Sequence, residues 1–193
     1  MTSARSEALV AERLILRRFT AADLPRLIAY RDDPEVARYQ SWSPLTESSA
    51  RALLAGLERS EPGTRGEWYQ FAVALKPTNE LIGDCALLVR ADDTQQAEIG
   101  YTFARAFQRQ GYATEAVLTL LRYMFDSLRL HRVIAQVDCR NDRSVALLER
   151  AGFRREAHCL QSFWLKGGWI DEYLYAMLRS EWRARGQVAK ANA

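Results

Sequence analysis

The chain has 193 residues, 48% hydrophobic and 26% charged, enough apolar material to build a core without disulfide support. A net charge of +3 suits a phosphate-bearing small molecule and is too small to indicate nucleic acid. No run approaches ~18 apolar residues, and the polar start from Met1 to Glu7 has no signal-peptide core, so no membrane association and a cytoplasmic setting are expected. Cys85, Cys139 and Cys159 are scattered and match no metal-ligand spacing, which predicts reduced packing residues and no metal.

In chain order, residues 1–10 read as a lead-in. The alternation in Arg13 to Phe19 predicts a strand. Thr20 followed by Asp23 predicts a helix start, with Pro25 awkward in its second turn. Asp33-Pro34-Glu35 predicts a second start, and Tyr39 to Pro44 a loop. Thr46 predicts the cap of a helix to about Arg59, with Ala50, Leu53, Leu54 and Leu57 as its buried stripe. These helices either cover a sheet or form a lid over an acceptor site.

Tyr69 to Leu75 and Leu81 to Val89 read as a hairpin around Lys76–Glu80. Glu98 to Phe103 reads as the next strand. The following segment, Gln108-Arg109-Gln110-Gly111-Tyr112-Ala113-Thr114, opens a helical pattern that runs to about Ser127. Strand, small-residue loop and helix start make an anion cradle: the first helical N–H groups lack intrahelical partners, and Gly111 lets the backbone approach a ligand. No Lys-Ser/Thr pair follows the glycine and there is no G-x-G-x-x-G, which argues against nucleotide hydrolysis and hydride transfer.

His131 to Asp138 predicts a strand covered on both faces, and Asp142 to Ala151 a helix capped by Gly152. Phe153 to Leu160 and Trp169 to Leu178 predict a closing hairpin. Ser180 to Arg183 predicts a short last helix, with a disordered tail after Gly186. No repeat or linker interrupts the chain, so one mixed α/β domain over 1–193, with its core at about 11–182, is expected.

Gln108-x-x-Gly111-x-Ala113 resembles the acyl-coenzyme-A signature of the GNAT acetyltransferase superfamily. Asn141-x-x-Ser144 and the block Leu147-Leu148-Glu149-Arg150-Ala151-Gly152-Phe153 follow in register. With Glu12-Arg13-Leu14-Ile15-Leu16-Arg17 at the start, the chain is most similar to the RimJ/RimL type of N-acetyltransferase. The resemblance implies an α/β (α+β) fold, with a mixed, mostly antiparallel sheet of about six to seven strands between helices and a splayed strand pair holding acyl-CoA.

The implied reaction moves an acetyl group from acetyl-CoA to a primary amine by direct attack. The acceptor is a protein or peptide N-terminal α-amine, or else a small amine. A CoA-binding sensor without turnover is the alternative, because Leu148 stands where many members place a tyrosine acid. Carried over by position, Gln108, Arg109, Gln110, Gly111, Tyr112, Ala113 and Thr114 hold the diphosphate, and Tyr101 and Phe103 bond the pantetheine arm through their backbones. Asn141 bonds the pantetheine amide or simply caps its helix, and Ser144 donates to the departing sulfur. Glu98 is the candidate base, drawing the amine's proton through water.

His131 and His158 read as structural, and His158 as lacking a partner. Trp68, Tyr69, Phe163 and Trp169 read as packing residues, while Tyr39, Trp42 and Trp164 are placed at the acceptor groove by the resemblance. Arg140, Arg143, Arg154 and Arg155 are expected near the cofactor loop. A homodimer is allowed and not indicated.

Overall fold

The computed structural model describes residues 8–42 and 45–191, with side chains through residue 187. Eight strands form one sheet: β1 (Leu9–Val10), β2 (Leu14–Arg17), β3 (Trp68–Leu75), β4 (Leu81–Val89), β5 (Gln96–Phe103), β6 (Arg132–Asp138), β7 (Arg154–Leu165) and β8 (Gly168–Leu178). Their order is β1-β2-β3-β4-β5-β6-β8-β7. Every neighbouring pair is antiparallel except β5–β6, which is parallel. This is the mixed, mostly antiparallel sheet expected, with one strand more than the upper expectation. The extra strand is β1, inside the stretch read as a lead-in: Leu9 faces Leu16 and Val10 faces Ile15. Two residues carry no period by which a strand could be recognised.

Among the described residues six α-helices flank the sheet: α1 (Leu24–Asp32), α2 (Pro34–Ala37), α3 (Glu47–Arg59), α4 (Tyr112–Arg122), α5 (Asp142–Ala151) and α6 (Arg179–Ala191). Thr46 caps α3, its hydroxyl accepting from the Ser49 N–H at 3.2 Å, and Ala50, Leu54 and Leu57 are its buried stripe. A 3-10 turn at Ala21–Asp23 precedes α1, so Pro25 falls in the first turn of α1 instead of a second turn, where its missing N–H does no harm. Asp33 caps α2 through the Glu35 N–H at 2.9 Å, as its Pro-Glu sequence predicts. The loop predicted at 39–44 is described to residue 42; positions 43 and 44 lie outside the described residues.

Helix α4 buries Ala116, Val117, Leu120 and Leu121, then widens into a π-type turn at Tyr123–Ser127, where the Leu128 N–H bonds Tyr123 O at 3.0 Å. The closing helix departs from expectation. It continues past Gly186 to Ala191, and Trp182 stacks on Phe125 at 5.9 Å between centroids. That aromatic contact anchors a helix whose own sequence is weakly apolar.

Two apolar clusters result. Helices α4 and α5 cover one face over residues such as Val73, Leu87, Ile99, Val133 and Tyr175. Helices α1, α2 and α3 cover the other face beside Ala72 and Leu81. Side chains directly opposite one another across a sheet share a face, which fixes where every strand residue points.

The feature that makes a site is the β5–β6 pair. Its register runs from Gln96↔Arg132 to Glu98↔Ile134 and stops, although β5 continues to Phe103 and β6 to Asp138. The two strands part from there on. On the other side β5 stays paired with β4 along its whole length, down to Gly83↔Phe103. Gly83 permits that approach: a Cβ there would stand 2.2 Å from the Thr102 carbonyl oxygen.

Candidate active site

The loop between β5 and α4 is built by backbone geometry. Gly111 has φ +81° and Arg109 φ +63°, both in the left-handed region. The first helical bond of α4 runs from the Glu115 N–H to Gly111 O at 3.0 Å, so the N–H groups of Tyr112, Ala113 and Thr114 precede any intrahelical donor and aim along the axis. Gln108 ties the loop to its surroundings: Nε2 donates to Phe103 O at 3.0 Å and Oε1 accepts from Arg143 at 3.0 Å.

Behind the loop stands Arg13. Its Nε donates to Glu115 Oε2 at 2.7 Å, its Nη1 donates to Gln110 O at 3.0 Å, and its guanidinium lies 4.5 Å over the Tyr112 ring. A Cβ on residue 111 would come within 3.2 Å of Arg13 Nη2. The tight approach on that side leaves the amide side of the loop facing a cleft.

The cleft has a volume of about 670 Å³ and runs from the loop past the parted strands to the start of α5. Arg38, Arg109, Arg140, Arg143 and Arg150 contribute to its wall, against Glu35 and Asp142. Arg140 is held by Asp138 at 2.6 Å. Burial raises the Asp138 carboxyl, and the Arg140 hydrogen bonds outweigh that and hold it below the usual aspartate value. Tyr39 closes one side of the cleft, its hydroxyl donating to Arg140 O at 3.2 Å, so α2 and its following loop, not α3, supply the lid-like border.

Within the gap, the pairing phase of β5 decides which backbone groups are free. Arg90 N–H bonds Gln96 O and Ala104 N–H bonds Ile82 O, so even-numbered residues of β5 bond β4. By alternation, the N–H and C=O groups of Tyr101 and Phe103 turn toward β6, where the register has already ended, and of these the Phe103 carbonyl already accepts from Gln108 Nε2. A polar chain lying in the gap would meet them as a strand meets an edge.

At the inner end, Asn141 caps α5, its Oδ1 accepting from the Ser144 N–H at 3.2 Å. Ser144 Oγ lies 2.6 Å from the Tyr101 hydroxyl. Burial of the phenol pushes Tyr101 well above the ordinary tyrosine pKa, only partly offset by the Ser144 hydrogen bond. Leu148 is 1% exposed, belongs to the core and does not line the cleft.

Glu98 is on the opposite face, at the fork where β5 and β6 part. Its partner in register is Ile134, on the same face as Glu172 of β8. Burial raises the Glu98 pKa, and the neighbouring Glu172 carboxylate adds to the rise.

The structure therefore brings Tyr101, Phe103, Gln108, Arg109, Gly111, Ala113, Thr114, Asn141 and Ser144 onto one cleft. Gln110 and Tyr112 do not line it: the Gln110 side chain folds onto Ala106 O at 2.8 Å, and Tyr112 packs on Arg13 and Phe107. Their backbones still belong to the loop. Glu98 is also off the cleft, one sheet face away. Arg154 and Arg155 are corrected outright: Arg154 pairs with Glu156 and Glu181, and Arg155 lies over Tyr173, so neither approaches the loop. His158 does have a partner, Asp171 at 3.3 Å, and it meets Tyr173 edge-on. Trp42 lies under Arg31 at 4.5 Å, while Trp164 packs on Trp169 at the tip of the β7–β8 hairpin.

The residues that sequence reasoning missed are Arg13, Glu172 and the Tyr101 hydroxyl. Each acts across the fold, and only the paired arginines at 17 and 18 beside Arg13 hinted at any local density of charge. Among the described residues no group of three or more His, Cys, Asp or Glu could hold a metal ion, and no helix is long and apolar enough to cross a membrane.

A sheet that opens beside a helix-start anion cradle defines an acyltransferase that takes its acyl group from a CoA thioester. Residues 13–154 match the family model described as acetyltransferase (GNAT) domain, and the chain belongs to that family. It is 34% identical over 177 residues to "Uncharacterized N-acetyltransferase p20" of Bacillus licheniformis, covering 91% of this chain and 98% of that protein. A shorter match, 32% over 84 residues, covers 44% of this chain and 43% of the "[Ribosomal protein uS5]-alanine N-acetyltransferase" of Escherichia coli. The crystal structure of a GNAT-family acetyltransferase from Bacillus anthracis superposes with a TM-score of 0.80 at 30% identity, covering 90% of this chain and 99% of that one. The protein is thus an acetyl-CoA-dependent N-acetyltransferase, with acetyl-CoA as its co-substrate.

Proposed function

We propose that the acceptor is the N-terminal α-amine of a peptide or protein, acetylated by direct attack on the bound thioester in a cytoplasmic setting. The observation that supports direct attack is the parting of β5 from β6: Ser144 and the anion loop line one cleft, and Glu98 lies at the fork on the other sheet face. The likeness to a ribosomal-protein-alanine N-acetyltransferase supports an α-amine.

In this reading the loop 108–114 holds the diphosphate by its amides from 109 onward, the Gln108 N–H being bonded to Arg105 O, and Arg109 adds charge, with Gln110 and Tyr112 contributing backbone only. The backbones of Tyr101 and Phe103 hold the pantetheine arm. Asn141 keeps its Nδ2 for a pantetheine carbonyl while Oδ1 caps α5. Glu98 receives the proton of the incoming ammonium through water, its raised pKa making it a better base than a free carboxylate. Ser144 donates a hydrogen bond to the sulfur as the carbon–sulfur bond breaks.

Incubation with acetyl-CoA and a panel of peptides with free α-amines, alongside polyamines and other small amines, tests the acceptor. Thiol release with peptides, and mass spectra placing the acetyl group on the first residue, are expected. Turnover confined to small amines would reject the α-amine reading.

A further inference from the structure

We propose that Tyr101 is a positioning residue for the transfer step, its phenol donating to Ser144 Oγ so that the serine's own hydrogen turns into the cleft toward the departing sulfur. This rests on the reading of Ser144 given above and adds a side-chain role to a residue otherwise engaged only through its backbone.

The geometry is specific. The two hydroxyl oxygens are 2.6 Å apart, and the Tyr101 oxygen is also 3.4 Å from the Ser144 carbonyl. Ser144 is fixed from below by the cap: its N–H meets Asn141 Oδ1 at 3.2 Å and Asn141 O at 3.0 Å. A phenol is a far stronger acid than an aliphatic alcohol, so between the two it is the natural donor. A serine oxygen whose lone pair is engaged by Tyr101 keeps one hydrogen to give, and Ser144 lines the cleft that would receive it.

Tyr101 does not act as the acid itself. Burial holds its proton across any working pH, so the phenol remains a donor throughout. The amine nitrogen bonds the carbonyl carbon, the carbon–sulfur bond breaks with its electron pair on sulfur, and the proton lost by nitrogen balances the thiol that leaves. The hydroxyl pair stabilises charge on sulfur without being consumed. It also answers a chemical need left by Leu148, a buried hydrocarbon that donates nothing.

The test uses Tyr101→Phe, Ser144→Ala and the double variant. The readouts are kcat, the KM for acetyl-CoA, and the pKa of the thiol of bound CoA followed by thiolate ultraviolet absorbance. Tyr101→Phe should lower kcat about five- to ten-fold, leave the KM for acetyl-CoA within about two-fold, and raise the bound-thiol pKa by about half to one unit. In the Ser144→Ala background the same change should add nothing further to either readout. An unchanged kcat and thiol pKa in Tyr101→Phe, or an equal loss when Ser144 is already absent, overturns the role of Tyr101 and leaves Ser144 standing. If Ser144→Ala itself keeps the parental kcat and thiol pKa, the reading of Ser144 fails and takes this one with it. The thiol measurement needs no turnover and reads any variant that still binds CoA.

Discussion

Arg13 of the segment before β2 and Glu115 of the first turn of α4 form an ion pair with Nε–Oε2 at 2.7 Å, 102 residues apart in sequence. The pair does more than join strand to helix. The backbone N–H of residue 13 also donates to Glu115 Oε1 at 2.7 Å, so without the guanidinium the carboxylate would stay in place with its charge uncompensated beside amides that are meant for a phosphate. Arg13→Ala is expected to raise the KM for acetyl-CoA about ten-fold, with a modest stability loss of about 1 kcal/mol because Arg13 is partly solvated. Adding Glu115→Gln should recover much of the affinity. Titration calorimetry with CoA decides: a double variant no better than Arg13→Ala contradicts the electrostatic account.

The left-handed backbone at Gly111 makes the second prediction. Any Cβ there meets both the φ of +81° and the Arg13 guanidinium. Gly111→Ala should lower stability by about 1–2 kcal/mol and weaken CoA binding at the same time. Thermal melts with and without CoA report both effects together. A variant that melts as the parent does and binds CoA normally would show that the loop tolerates another geometry.

A third concerns pH. Glu98 is raised by burial first and by Glu172 second, so activity should fall on the acid side through a pKa above that of a free glutamate. Glu172→Gln removes the second cause and should move that limb to lower pH. Glu98→Gln should abolish the limb and reduce kcat/KM about a hundred-fold. The stability sign runs the other way from an ordinary salt-bridged acid: the folded state holds this proton to higher pH than the unfolded chain, so stability falls as pH rises through that window. Glu98→Gln should therefore melt no lower than the parent at neutral pH. A limb that stays in place in Glu172→Gln would separate the two carboxylates.

A fourth concerns the buried polar cluster under α1. Asp84 accepts from the Tyr30 hydroxyl and pairs with Arg31 at 3.4 Å, and both partners of that ion pair are about 5% exposed or less. Arg31 also donates to Gln70 at 2.9 Å and packs on Trp42. Asp84 stands opposite Thr102 in register, one position from Phe103 at the edge of the gap. Asp84→Ala leaves a guanidinium buried without its counter-ion and should destabilise by about 3–5 kcal/mol. Denaturant melts would contradict this if the loss stayed below about 1 kcal/mol, a value ordinary for surface pairs.

Much of this site could be read locally. Gly111 ahead of an apolar period, and Asn141 three residues before Ser144, are short-range patterns whose chemistry depends on neighbours in sequence. The α3 cap at Thr46 and the hairpin of β3 and β4 were legible for the same reason. What escaped was set by contacts between distant segments. Tyr101 and Ser144 are 43 residues apart and meet only because β5 passes beneath the first turn of α5. Glu98 and Glu172 become neighbours through two sheet registers. Helix α6, weakly apolar in sequence, docks on the core because Trp182 finds Phe125.

The short seam at Gln96–Glu98 divides the sheet into two wings, β1–β5 and β6–β8–β7. Beyond that seam the wings are not stitched directly to each other, and a guest lying between them supplies the missing rungs. Loading with CoA should therefore slow hydrogen–deuterium exchange at the amides of Tyr101 and Phe103 and stiffen both wings as one body. Ligand occupancy would then be written into the mechanical coherence of the whole sheet.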